Sequence, residues 1–239
     1  MIVTIHQPEH LPWLGFFDKI SQCDLYVMLD HVSYRKNYFQ NRNRIRTVDG
    51  TAWMTVPVLQ KGHSHQAISE VLINNEGSPR WREKCWRTLL QHYKNSQYWN
   101  QYSNFFEELY SAEWNRLVEL NEAIIRYLLR ALSLTPHLVK SSNLIVKGDK
   151  SSSLLRICEN VGATVYVSGV SGKTYLDLVS FEEAGIEVRF QEFHHPIYRQ
   201  LHEPFVPCTS IIDLLFNCGP KSSDILRGVG VERMDEVFE

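Results

Sequence analysis

MIVTIHQPEHLPWLGFFDKISQCDLYVMLD, residues 1–30, is the stretch that decides the fold class. Met1 to Ile5 is a short β-branched run, the mark of a buried strand, and it stops at the polar cluster His6-Gln7-Pro8-Glu9-His10. Leu11 to Gly15 leads into residues 16–21, where Phe16, Phe17 and Ile20 recur at helical spacing. Asp24 to Asp30 is a second apolar strand. Strand, loop, helix and strand in that order form the opening unit of a parallel sheet, and such sheets hold ligands beyond the carboxyl ends of their strands. Two loops become candidates on that ground, residues 6–10 and residues 30–34.

The same alternation returns after Pro136. Leu144-Ile145-Val146 reads as a strand, residues 152–161 as a helix, 164–167 as a strand, 172–184 as a loop and helix, and 186–190 as a strand. Residues 78–134 are helical in pattern: Ser78-Pro79 is a cap with proline at the first turn, and Trp81, Cys85, Trp86, Leu89 and Leu90 share one face. Two further helices follow at 98–110 and 114–132, and their aromatic residues are expected in the core rather than at a ligand. Residues 52–58 alternate as a strand with 59–65 as its turn, 194–207 are proline-punctuated loop, and SIIDLLF at 210–216 is a short helix. The expectation is an α/β fold with a mainly parallel, Rossmann-like sheet of the nucleotidyltransferase kind. Residues 1–77 and 137–239 would form it around a helical insert at 78–136.

The chain has 239 residues, 44% of them apolar and 22% charged, which suits a globular protein with one sizeable core and excludes a disordered chain. A formal charge of -2 leaves no overall basic field to draw it onto nucleic acid or an anionic membrane. No apolar run is long enough to span a bilayer, and the sequence opens on a strand rather than a basic leader, so the expected location is the cytoplasm. The five cysteines, Cys23, Cys85, Cys158, Cys208 and Cys218, match neither a zinc pattern nor a disulfide framework and read as buried thiols.

Five groups of residues can carry chemistry. His6 and His10, ending the first strand, can hydrogen-bond phosphate oxygens and stabilise charge on a leaving group; a metal site from this pair is not expected, because proline intervenes and no acidic motif accompanies it. Ser168-Gly169-Val170-Ser171-Gly172-Lys173 joins a strand to a helix, with small residues that let backbone approach a phosphate and a lysine that adds charge. Its spacing is not that of a Walker A loop. Residues 35–47, RKNYFQNRNRIRT, are the concentrated basic patch, with no helical or strand stripe that would bury them, and Arg42 and Arg44 can clamp a phosphate or carboxylate. Asp30 and Asp213 can hold magnesium or accept a proton from an amine or hydroxyl. His194-His195 is a further polar pair without a specific spacing.

The runs IHQPEHLPWLGFFDKI, NRNRI and SGVSGKTYLD, with Pro196 to Gln200 and SIIDLLFNCG, together resemble the WbqC-like family of bacterial proteins over residues 1–219. The matching positions are Gln7, Pro8, Leu11, Pro12, Trp13, Gly15, Asp30, Asn41, Arg42, Asn43, Gly169, Gly172, Tyr175, Leu176, Tyr198, Gln200, Ser210, Asp213, Asn217 and Gly219; His10 stands where a tyrosine is common. The resemblance implies a place in O-antigen or other surface polysaccharide biosynthesis. A more distant likeness, to the openings of pantothenate synthetase and class I synthetase folds, implies ATP with Mg2+ and an acyl-adenylate, although the HxGH signature is replaced by LPWLG.

Joined together, these implications give an ATP-dependent ligase that attaches a small amino acid or acyl group to a nucleotide-linked amino sugar. An ATP-independent acyl or glycosyl transferase and a non-catalytic sugar-nucleotide-binding assembly factor are the alternatives. His6, Asp30, Asp213 and Lys173 would be catalytic. Gln7, Pro8, His10, Trp13, Gly15, Gly169, Ser171 and Gly172 would contact the nucleotide. Asn41, Arg42, Asn43, Arg44, Tyr175, Tyr198, Gln200, Ser210 and Asn217 would contact the substrate. A homodimer is the default assembly.

Overall fold

The computed structural model describes residues 1–59, 66–76, 80–144 and 150–234. Along the chain come β1 (Ile2–His6), α1 (Leu14–Ser21), β2 (Leu25–Met28), β3 (Arg42–Thr47), β4 (Gly50–Thr55), α2 (Arg80–Tyr93), α3 (Trp99–Ser111), α4 (Leu117–Ala131) and β5 (His137–Lys140). They are followed by α5 (Lys150–Asn160), β6 (Val165–Ser168), α6 (Leu178–Glu183), β7 (Glu187–Phe190), α7 (Ile211–Cys218) and α8 (Ser222–Leu226).

Five strands form one all-parallel sheet in the order β5-β2-β1-β6-β7. β1 is central, with Val3 opposite Leu25 on one side and Tyr166 on the other. The three inner strands β1, β2 and β6 are mainly buried, which is why they read as apolar runs, whereas the edge strands β5 and β7 are partly exposed. Period two sorts them nonetheless: Val3, Ile5, Leu25 and Val27 pack with Leu154 and Ile157 of α5 and Phe181 of α6, whereas Tyr26 and Met28 face the larger cluster that holds α1 and α7. Thr4 is the polar exception within β1, and its hydroxyl donates to the Val167 carbonyl at 2.9 Å.

Helices α2 to α4 join that larger cluster, together with Ile45 and Met54 of the β3–β4 hairpin. Their aromatic faces are core: the indoles of Trp86 and Trp99 stack at 5.5 Å, and Trp99 and Phe106 meet Phe216 of α7 at 5.1 and 5.7 Å.

Three local readings of the sequence need correction. The basic patch, read as lacking a strand stripe, does contain a strand, since Arg42–Thr47 pairs antiparallel with β4, Arg44 opposite Trp53. Asn43 and Ile45 are buried while Arg42 and Arg44 lie beside the Trp53 indole, so the alternation is real but written in polar residues. The strand after Pro136 is His137–Lys140, and Leu144 follows a short turn beyond it; Ile145 and Val146 lie outside the described residues, as do residues 60–65 of the expected turn and the Ser78-Pro79 cap. Of the five cysteines only Cys85 and Cys158 are buried, although none is in a disulfide.

Candidate functional site

In a sheet ordered β5-β2-β1-β6-β7 the connections leaving β1 and β6 run to opposite sides, and a crevice opens between them at the strands' carboxyl ends. A cavity of about 320 Å³ occupies that position. His6 and Glu9 line it from the end of β1, and Trp13, Gly15, Phe16 and Lys19 from α1 and its start. The turn Gly169–Ser171 after β6, Gln191 and Phe193 after β7, and Tyr38 and Phe39 from the basic segment complete the wall.

Local packing explains how these groups come together. Phe16 and Lys19 stand three residues apart on α1 and therefore share a face, with Gly15 one turn before the lysine. Gly15 is required because a Cβ there would stand 2.4 Å from two indole carbons of Trp13, whose ring lies over the first turn of the helix. Gln191 donates to the Gly15 carbonyl at 2.9 Å and to the Asp18 carboxylate at 2.6 Å, tying α1 to the end of β7. Tyr38 and Phe39 are carried over the crevice by two bridges between loops, from His10 N–H to the Phe39 carbonyl at 2.9 Å and from the Gln40 amide to Gln7 Oε1 at 2.7 Å.

Lys19 is 4% exposed and is the cation of this cavity, and a Cβ on Gly169 would lie 3.9 Å from its Nζ. His6 is its acid–base neighbour. Burial first, and then the Lys19 charge, push the imidazole down to about 3, so it is neutral at physiological pH. Its Nδ1 lies 3.0 Å from the Gln7 carbonyl, which only accepts; the proton is therefore on Nδ1, and Nε2 keeps the lone pair. The Glu9 carboxylate stands 3.9 Å from the same nitrogen.

Of the residues the sequence singled out, the crevice gathers His6, Trp13, Gly15, Gly169 and Ser171. Gln7, Pro8 and His10 are not in its lining; Gln7 and His10 hold the loops that form the wall, and His10 is buried, its Nε2 3.4 Å from the Tyr110 hydroxyl. Gly172 is buried beneath the turn because a Cβ would meet Ser168 Oγ at 2.1 Å. Lys173 is exposed, its ammonium 5.5 Å from the Phe190 ring, and Lys19 holds the place in the crevice that was expected for it. Tyr175 lies under the Lys150 ammonium at 3.4 Å, away from the cavity.

Asp30 and Asp213 serve the architecture. Asp30 accepts from the Ser141 hydroxyl at 3.1 Å and from the Ser142 backbone and hydroxyl at 2.8 Å each, locking β2 to the segment after β5. Asp213 is fully buried and accepts from the Tyr198 hydroxyl and the Gln200 amide, both at 2.8 Å, and from Asn217 at 3.3 Å. Burial raises its carboxyl above the usual range despite these donors and the nearby Arg46. Ser210 caps α7. Asn41 and Asn43 donate to the Val56 and Leu11 carbonyls at 2.9 Å, so both are pins between loops. Among the described residues no group of three or more His, Cys, Asp or Glu is placed to hold a metal ion. The two carboxylates expected to hold magnesium, Asp30 and Asp213, are each engaged in hydrogen bonds within the fold.

The sequence reading missed Lys19, Gln191 and Phe193 and gave Glu9 no role. A lysine three residues after Phe16, on the apolar face of a short helix, was the one available signal.

Fold and crevice together define a Rossmann-like α/β protein with a cavity at the point where the sheet's connections diverge. The chain belongs to the WbqC-like protein family, whose model matches residues 7–225. It is also 34% identical over 227 residues to Rv1507c of Mycobacterium tuberculosis, described as an uncharacterized protein, covering 94% of this chain and 97% of that one. No solved structure matches the chain. Among the described residues no helix is long and apolar enough to cross a membrane.

Proposed function

We propose that the protein is an amide-forming enzyme that joins a small acyl group, such as an amino acid, to the amine of a nucleotide-linked amino sugar. Membership of the WbqC-like family suggests the setting, polysaccharide biosynthesis. The observation that carries the chemistry is the pairing of a neutral imidazole with a buried lysine in one crevice. The Lys19 ammonium attracts a phosphate or carboxylate oxygen. The Nε2 lone pair of His6 takes the proton of the attacking amine as the nitrogen–carbon bond forms and the leaving group departs from the acyl carbon.

A base held near 3 is weak, and the crevice contains the remedy. One of the two forces depressing His6 is the Lys19 charge; an anion bound to Lys19 neutralises it and strengthens the base only when substrate is present. Replacing Lys19 by Met is therefore expected to raise the His6 pKa, read by NMR titration, while abolishing the thermal shift given by the anionic ligand.

The decisive experiment is thermal unfolding with ATP-Mg, AMP, UDP-sugars and dTDP-sugars in parallel. A ligand at about 100 times its dissociation constant adds roughly 2.7 kcal/mol, several degrees in midpoint. Stabilisation by AMP, which carries no diphosphate, that survives His6→Gln and is lost in Lys19→Met supports the assignment of roles; AMP stabilisation indifferent to Lys19 refutes it. AMP release during turnover identifies an ATP-driven ligase, and turnover without it a transferase using a preactivated donor. Sugar-nucleotide binding with no turnover of any donor leaves a binding factor.

A further inference from the structure

Beyond the crevice wall, the β3–β4 hairpin and the segment before it carry a strip of cations and aromatics, in which the Arg42 Nη2 donates to the Asn37 carbonyl at 2.6 Å. Trp53 is 47% exposed, with the Arg42 guanidinium 4.3 Å from its ring centroid and that of Arg44 at 5.9 Å. The Nε donors of both arginines are shielded from solvent and have no acceptor in the structure. Arg35 lies 5.7 Å from the ring of Tyr38, itself 42% exposed. Among the described residues Arg35, Lys36, Arg42 and Arg44 make no salt bridge. Arg46 on the same strand also has an unpartnered Nε but differs in being buried at 2% exposure, its guanidinium donating to the Gly50 and Pro204 carbonyls at 2.9 Å. The strip is also continuous with the crevice: Phe39, which lines the cavity, lies 6.3 Å from Trp53 and 5.3 Å from Tyr38.

We infer that this strip is a nucleoside-diphosphate handle, in which the Arg42 and Arg44 guanidiniums take the diphosphate and the Trp53 indole stacks the base. Guanidinium forks match phosphate oxygens, and an exposed aromatic ring stacks any nucleobase. A polymer is the poorer occupant, because the strip offers one exposed indole and leads into a cavity of about 320 Å³, and the whole chain carries a charge of -2. The handle explains how a small crevice serves a large substrate: the nucleotide stays outside on the hairpin and only the sugar enters. That last placement rests on the reading of the crevice given above; the handle itself does not, and its test requires no turnover.

Isothermal titration calorimetry with UDP, dTDP, ADP and inorganic pyrophosphate decides it. The nucleoside diphosphates are expected to bind the wild-type chain, with Kd rising roughly 10- to 100-fold in Trp53→Ala and little in Trp53→Phe, which keeps a stacking ring. Pyrophosphate, lacking a base, is expected to ignore Trp53→Ala and to weaken in the Arg42→Ala, Arg44→Ala double variant. Lys19→Met should leave UDP affinity within threefold. Absence of nucleoside-diphosphate binding, a Kd unchanged by Trp53→Ala, or preference for a single-stranded oligonucleotide would overturn the handle. UDP binding lost in Lys19→Met but kept in Trp53→Ala would put the nucleotide in the crevice, sinking the handle and sparing the crevice reading. Circular dichroism confirms that each variant is folded.

Discussion

Two polar clusters divide the motif residues of this chain, one around Asp213 and one around Lys19. Around Asp213 the carboxylate is answered from inside by Tyr198, Gln200 and Asn217, and the group is sealed at zero exposure. Around Lys19 the polar groups line an open cavity, and the imidazole beside it keeps an acceptor nitrogen beyond its bond to Gln7. The first cluster is richer in the residue types that suggest catalysis, yet it spends them on architecture. What separates the two is where their groups face: the Asp213 carboxylate is closed off from solvent, whereas the Lys19 cluster borders a cavity.

That contrast is broken most sharply at Asp213. Asp213→Ala leaves buried donors of Tyr198 and Gln200 without their acceptor, and a loss of about 3–5 kcal/mol is expected in urea unfolding, with ligand affinity of the remaining folded protein unchanged. A variant of wild-type stability that loses binding would reverse the roles of the two clusters.

Acid tests the two histidines of one loop. His10 is lowered by burial to about 4 and His6 to about 3, against 6.5 when unfolded. Below pH 6.5 the unfolded chain takes up protons that the folded chain refuses, so stability is full above that pH and is lost as pH falls toward 4 and then 3. His10→Gln should remove on the order of 3 kcal/mol of this pH dependence, visible as a flatter plot of Tm against pH. An unchanged plot would mean that His10 takes up its proton equally in the folded and unfolded chain.

Gly15 gives a smaller effect of unusual sign. Glycine to alanine within a helix ordinarily stabilises, by about 0.5–1 kcal/mol. Here the new methyl would displace the Trp13 indole, and a net loss of roughly 1–3 kcal/mol with weaker crevice binding is expected from denaturation and calorimetry. Stabilisation by Gly15→Ala would show that the indole swings away freely. The least effect belongs to Lys173→Ala, within about 0.5 kcal/mol in stability and with no change in turnover, since its ammonium is outside the cavity.

Legibility in the sequence followed the hydrophobic pattern. β1, α1, β2, β6 and β7 could be read because buried strands and a helical stripe write themselves in apolar residues, and the rule for parallel sheets then located the crevice at His6. β3 was invisible because its outward positions are arginines held against Trp53, a contact made only once β4 is paired. Asp30, Asp213 and Lys173 looked chemical by residue type, which says nothing of whether the fold consumes that capacity. Lys19 and Gln191 lie 172 positions apart and meet only across the finished sheet, beyond the reach of any local pattern.

The central place of β1 has a consequence for how the chain acquires its site. Val3 finds Tyr166 opposite it, so the two walls of the crevice come from parts of the chain separated by most of its length. Closing so long a loop brings no reward until the strands pair, and contacts of this range slow folding. A ligand gripping both walls therefore recognises the completed sheet, and its binding serves as a readout of how many molecules in a preparation have finished folding.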